Sequence, residues 1–271
     1  MREALLRRRS ARPDTDVERS VMSRIFGVRL HHVGSEPKLR ALCARYLGGD
    51  RTVRIFTPNP EILLLAREDP AYAEVLRSAD LALPDGTGVA LVETLRAGHR
   101  VRRWPGVEIG ELLVRLGAEK DATIAFVGGG EGVAERAAER WRQRLPGVRI
   151  AVVGGDASVT VEGIVQPAEG DAALTRAVAA TSPAIVVVGF GAPKQERWIA
   201  RHADDVPSAR IMIGVGGSFE MWADDLRRSP RILRTIGLEW AWRLALEPRR
   251  FPRMIRATIL FPLRVLTDRA E

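Results

Sequence analysis

The sequence predicts an α/β fold, a mainly parallel sheet with helices on both faces and a C-terminal helical appendage. Two observations predict it. Short β-rich apolar runs alternate with helical runs across most of the chain, and that alternation stops near residue 225, where Arg, Trp, Leu and Pro take over. The strands are expected at Val53–Thr57, Asp80–Leu83, Thr123–Val127, Arg149–Val153, Ala184–Gly189 and Arg210–Val215. Val186-Val187-Val188 is apolar at consecutive positions, as a central parallel strand buried on both faces should be. The helices are expected at Pro60–Arg67, Pro70–Ser78, Gly86–Ala97, Gly106–Leu116, Gly132–Arg144, Asp171–Ala180 and Lys194–Arg201. Several of them open on Pro or just after Gly, residues that suit a strand-to-helix turn.

Three segments follow from this pattern: a disordered, charged arm over residues 1–23, an α/β core over 24–225 and a basic helical appendage over 226–271. Met22 opens the patterned sequence and is an alternative start. Arg7, Arg8 and Arg9 are followed by Arg12-Pro13-Asp14 rather than by an apolar stretch, so the beginning does not read as a secretory signal. No uninterrupted apolar run reaches the length of about 18 residues that suggests a spanning helix. A single cysteine, Cys43, rules out an internal disulfide and reads as a buried small hydrophobe. These features lead us to expect a cytoplasmic protein.

The net charge is +8, carried almost wholly by arginine and concentrated at the two ends. Basic ends suit an anionic membrane surface or a phosphate-rich ligand. On a helical wheel of the predicted helix 251–266, Phe251, Met254, Ile255, Thr258, Ile259, Phe261, Pro262, Val265 and Leu266 fall on one side, and Arg249, Arg250, Arg253, Arg256 and Arg264 on the other. Such a helix can lie in a membrane surface or dock on the core, and Pro262 argues against an unbroken one.

Two blocks stand at predicted strand ends, where open α/β sheets bind ligands. Thr57-Pro58-Asn59-Pro60-Glu61 offers a hydroxyl and an amide. Pro84-Asp85-Gly86-Thr87-Gly88 mounts one carboxylate on a tight turn, suited to a general base that must reach an acceptor hydroxyl. An ordinary turn or cap aspartate is the alternative. Gly189-Phe190-Gly191-Ala192-Pro193-Lys194-Gln195-Glu196 ends a strand and starts a helix; Lys194 can neutralise phosphate and Gln195 can bond a sugar or base. Gly128-Gly129-Gly130-Glu131-Gly132 is a weak dinucleotide signal but a plausible phosphate turn. The histidines show no metal-ligand spacing, and no Asp-x-Asp pair suggests a metal bridging a diphosphate.

In combination these blocks resemble the WecG/TagA/CpsF family of bacterial glycosyltransferases. The resemblance runs from about Phe26 to about Arg256. It is carried by the Thr57, Pro84 and Gly189 blocks with Arg103-Trp104-Pro105-Gly106, Arg228-Ser229-Pro230, Gly237-Leu238-Glu239-Trp240 and Glu247-Pro248-Arg249-Arg250. It implies a Rossmann-like core and an inverting transferase that needs no metal or other cofactor. The implied reaction moves a sugar, of N-acetylmannosamine type or another hexose, from a UDP-sugar to an undecaprenyl-diphosphate-linked sugar in exopolysaccharide, teichoic acid or other cell-surface polymer synthesis. It also implies a peripheral protein on the inner face of the plasma membrane, a tail touching anionic lipid and no nucleic-acid partner, with a homo-oligomer compatible. By position Asp85 matches the catalytic base, and Thr57, Asn59, Arg103 and Gln195 match pocket residues. Arg243, Arg250 and Arg253 of the appendage are the candidates for stabilising the diphosphate, beside Lys194 as the substrate-binding candidate read from its helix start. Glu108, Glu220 and Asp224-Asp225 depart from the residues common in the family and bear on which sugar is held. Two other readings stay open on the residues alone: a nucleotide-dependent oxidoreductase, from the glycine-rich turns, and a non-enzymatic basic module binding membrane or polyanion.

Overall fold

The computed structural model describes residues 22–167, 169–224 and 255–268, with single residues at 230, 242 and 251. All six predicted strands form one parallel sheet. They are β3 (Val53–Phe56), β4 (Leu81–Ala82), β5 (Ile124–Gly128), β6 (Ile150–Val153), β9 (Ile185–Gly189) and β10 (Ile211–Gly214), in the order β4-β3-β10-β9-β5-β6. Two small antiparallel hairpins lie outside it: β1 (Met22–Ile25) with β2 (Val28–His31), and β7 (Ser158–Val159) with β8 (Val165–Gln166). Met22 and Ser23, placed in the arm by sequence, begin β1 and pair with His31 and Leu30.

The sheet separates two cores, because successive side chains on a strand point to opposite faces. Ile55, Phe126, Val187 and Ile213 feed one core, and Phe56, Val127, Val188 and Met212 feed the other. The first face is covered by α1 (Glu36–Leu47), α5 (Gly106–Glu119), α6 (Val133–Arg144) and the short α9 (Ser218–Trp222). The second is covered by α2 (Pro60–Glu68), α3 (Pro70–Arg77), α7 (Glu169–Ala180) and α8 (Lys194–His202). α4 (Thr87–Ala97) contributes Val89 to this second core. Cys43 is fully buried in the first core, where burial pushes its thiol up to about 12.

Local chemistry fixes where the helices begin. Ser35, Asn59 and Asp69 each accept a backbone N–H three residues on, at 3.4, 3.0 and 3.0 Å, and a proline stands within the first two positions of each helix.

Of the predicted appendage, the described part is a π-helical stretch (Arg256–Leu260) leading into α10 (Phe261–Thr267). The helical backbone runs on from the π-helical stretch into α10, where the Phe261 N–H bonds the Arg256 carbonyl and Pro262, next in line, has no N–H to give the ladder. α10 docks on the second core through Phe261 and Val265, with Phe261 edge-on to Phe26 at 6.1 Å between centroids. The single apolar side expected for this helix is therefore divided, and Ile259, Leu263 and Leu266 remain exposed. No helix of the described residues is long and apolar enough to cross a membrane. Arm residues 1–21 and Arg243, Arg250 and Arg253 lie outside the described residues, as do the motifs Gly237–Trp240 and Glu247–Arg250.

Candidate active site

Parallel pairing of β3 with β4 matches Ile55 to Leu81 and Phe56 to Ala82, so the two blocks that follow these strands emerge side by side. Backbone hydrogen bonds then stitch them together. Leu83 N–H donates to the Phe56 carbonyl at 2.9 Å and Asp85 N–H to the Pro58 carbonyl at 3.0 Å. Trp104 N–H reaches the Pro84 carbonyl at 2.7 Å, which brings in the Arg103 loop. Gly86 has φ +81°, and a Cβ there would stand 3.1 Å from Pro60 Cδ. Glycine is thus required twice at this position, for the turn and for the approach of the two blocks.

These segments line one cleft of about 1570 Å³. Thr57, Asn59, Asp85, Arg103 and Gln195 all line it, together with Gly189–Pro193 beyond β9 and Val215–Ser218 beyond β10. Thr57 is buried, with its hydroxyl against the start of α5: a Cβ at Gly106 would lie 3.2 Å from Thr57 Oγ1. Asn59 accepts the Ile62 N–H and so spends its carbonyl as the cap of α2. Asp85 is half-buried and accepts the Gly86 N–H on Oδ1 at 2.6 Å, which fixes its carboxylate on the turn. Lys194 is not among the residues that line the cleft.

Gln195 is held from both ends. Its Oε1 accepts the Gly216 N–H at 2.8 Å, and its Nε2 donates to Glu196 Oε1 at 2.7 Å. A Cβ at Gly214 would stand 2.7 Å from the Gln195 amide, so the side chain lies over bare backbone at the end of β10. Glu196 is buried and also accepts the Tyr72 hydroxyl at 3.0 Å. Burial pushes the Glu196 carboxyl up, opposed by the hydrogen bonds from Gln195 and Tyr72, and pushes the Tyr72 phenol up as well. Sequence reading named Gln195 but missed this support. Tyr72 carries no local signal, since it is a lone aromatic on a helix far from Glu196 in the chain.

The glycine-rich turn after β5 does not line the cleft. Its first two glycines lie against aromatic rings: a Cβ on Gly128 would meet the Phe190 ring, and one on Gly129 the Phe219 ring. Gly189 on the neighbouring strand lies against Phe219 too, a Cβ there standing 2.7 Å away. Gly128 and Gly129 therefore serve as packing positions for two aromatic rings. Among the described residues, no group of three or more His, Cys, Asp or Glu side chains could hold a metal ion.

Comparison with known proteins places the chain in a family. The model of the glycosyl transferase WecG/TagA/CpsF family matches residues 23–271. The chain belongs to this family. A similar relative is the N-acetylglucosaminyldiphosphoundecaprenol N-acetyl-beta-D-mannosaminyltransferase of Bacillus spizizenii, 32% identical over 210 residues, which are 78% of this chain and 77% of that protein. The Staphylococcus aureus protein of the same name is 31% identical over 205 residues, 74% of each chain. Within this glycosyltransferase, the cleft holds Asp85 beside every sequence-predicted pocket residue that lies among the described residues, Lys194 excepted.

Proposed function

We propose that this glycosyltransferase transfers a hexose, of N-acetylmannosamine type or related, from a UDP-sugar to a sugar linked through diphosphate to a polyprenol. The observation that carries this reading is the convergence on one cleft of a single fixed carboxylate, Asp85, with Thr57, Asn59, Arg103 and Gln195. The names of the relatives, which specify a diphosphoundecaprenol-linked acceptor and a mannosaminyl donor group, support the substrate class.

The reaction is a single displacement with inversion. Asp85 takes the proton of the acceptor hydroxyl as its oxygen forms a bond to the anomeric carbon. The bond from that carbon to the diphosphate oxygen breaks, and UDP leaves with the electron pair. Arg103 lies on the cleft wall to offset the developing charge. Arg243, Arg250 and Arg253 of the tail are further candidates for the same task. No metal is assigned a role, and work takes place at the inner membrane face, where the acceptor's lipid is anchored.

The test is release of UDP by the full chain in EDTA, across a panel of UDP-sugars and with a short-chain prenyl-diphosphate-sugar acceptor. Acceptor-dependent release with one donor is the expected result. No release from folded protein with any donor would overturn the reading.

A further inference from the structure

The cleft changes character along its length. One end carries Asp85 and the polar strand-end residues. The other is walled by Leu91, Val92 and Leu95 of α4 and by Pro262, Val265 and Leu266 of α10, all lining the same cavity. Leu91 is 58% exposed, Leu95 75% and Leu266 82%. Leucines so exposed on two adjoining helices contribute nothing to the core, and a contiguous set of them marks a surface that binds something apolar.

The geometry of α4 ties the two ends together. The helix starts at the Asp85-Gly86 turn, whose residues line the polar end of the same cleft. Its axis then leads away from the turn, reaching Leu95 about 13 Å on at a rise of about 1.5 Å per residue. α10 is fixed alongside. Arg96 Nη2 donates to the Val265 carbonyl at 3.1 Å. Gly88 admits the preceding π-helical stretch, since a Cβ there would stand 3.4 Å from the Ala257 carbonyl. Nearby acids are matched, Glu68 by Arg256 at 2.8 and 2.9 Å and Asp268 by Arg67 at 3.4 Å, so the apolar strip is flanked by neutralised pairs.

We propose that the groove between α4 and α10 binds the first isoprenoid units of the polyprenyl-diphosphate acceptor, with Leu91, Leu95 and Leu266 as its contacts. The proposal rests on the lipid-linked acceptor of the reading above. Its occupant follows from continuity: a chain attached to a diphosphate-sugar held at the polar end has this strip as the apolar way out of the cleft.

The experiment uses the full chain and a benzophenone-bearing prenyl diphosphate, photolysed in buffer free of detergent and vesicles. Labelling is expected within residues 87–97 and 259–266, competed by farnesyl diphosphate and not by inorganic diphosphate. The Leu91→Ser/Leu95→Ser variant should lose it by about tenfold or more, with an unchanged circular dichroism spectrum because both side chains are exposed. In turnover, the same variant should lose the preference for a farnesyl-linked over an ethyl-linked diphosphate-sugar and keep its kcat/KM on the ethyl-linked one. Labelling elsewhere, or equal labelling of the variant, overturns the proposal. So does labelling that needs vesicles, which would assign the strip to the bilayer. A dimer lost in the variant without loss of labelling would assign it to a second copy and likewise overturn the proposal. Failure of the glycosyltransferase reading is separate, since it appears as absent turnover of both acceptors by the unaltered chain.

Discussion

The sheet has two crevices where neighbouring strands send the chain in opposite directions, one between β3 and β10 and one between β9 and β5. Both are bordered by strand-end glycines, and both are places where an α/β sheet can hold a ligand. The first is open and lined by Thr57, Asp85 and Gln195. At the second, Phe190 and Phe219 lie on the backbone of Gly128, Gly129 and Gly189, and Phe219 stacks on Phe126 at 4.8 Å between centroids. A glycine turn at a strand end therefore does not by itself mark a phosphate site. What counts is whether the space that the missing Cβ leaves is already filled by the protein's own side chains.

The comparison can be broken most directly at the open crevice. Asp85→Asn should lower turnover by roughly 100- to 10,000-fold while the thermal unfolding midpoint is kept, because general-base catalysis is worth that much. Near-normal turnover would remove Asp85 from the role of base. At the filled crevice the effect should fall on stability instead. Gly129→Ala combines a φ of +98° with a clash against Phe219. It should cost about 2–4 kcal/mol in denaturant unfolding and leave the activity of the folded fraction largely intact. A loss of donor binding without loss of stability would mean that this turn touches ligand after all.

Gln195→Ala tests the support beneath the open crevice. It leaves the Gly216 N–H and one Glu196 oxygen without their partner, so unfolding should become easier by about 1–3 kcal/mol. The smallest effect is in the pH dependence. The Glu196 carboxyl is raised in the folded protein above its ordinary value of 4.5. Its contribution to stability is therefore complete below that value and is lost as pH rises through the folded one. Glu196→Gln cannot ionise, so its stability should fall less steeply than the parent's as pH rises above the ordinary carboxylate range. Parallel pH–stability curves for the two proteins would remove Glu196 as the titrating group.

Much of this was legible in the chain. The six parallel strands are short apolar runs set between helices, and that pattern is local. Asn59 and Asp69 caps followed by proline announce their helices within a few residues. The hairpin of β1 and β2 went unpredicted because its strands have four residues each, whereas α1 was missed although a Ser35 cap, a proline in its first turn and Leu39, Cys43 and Tyr46 at helical spacing mark it. The Thr57 and Asp85 blocks were readable as strand-end turns, the first from its two prolines and the second from its proline and glycines.

What the sequence by itself determined was the alternation of elements, the position of the polar blocks at strand ends and the family to which those blocks belong. These depend on residues close together in the chain, where periodicity and turn chemistry act. Tertiary structure alone decided which crevice is open, that Tyr72 and Glu196 brace Gln195, and that α10 buries Phe261 and Val265 while leaving Leu266 to face the cleft with Leu91 and Leu95. Each of these depends on side chains distant in sequence competing for the same volume, and close packing settles that competition only when all the neighbours are in place.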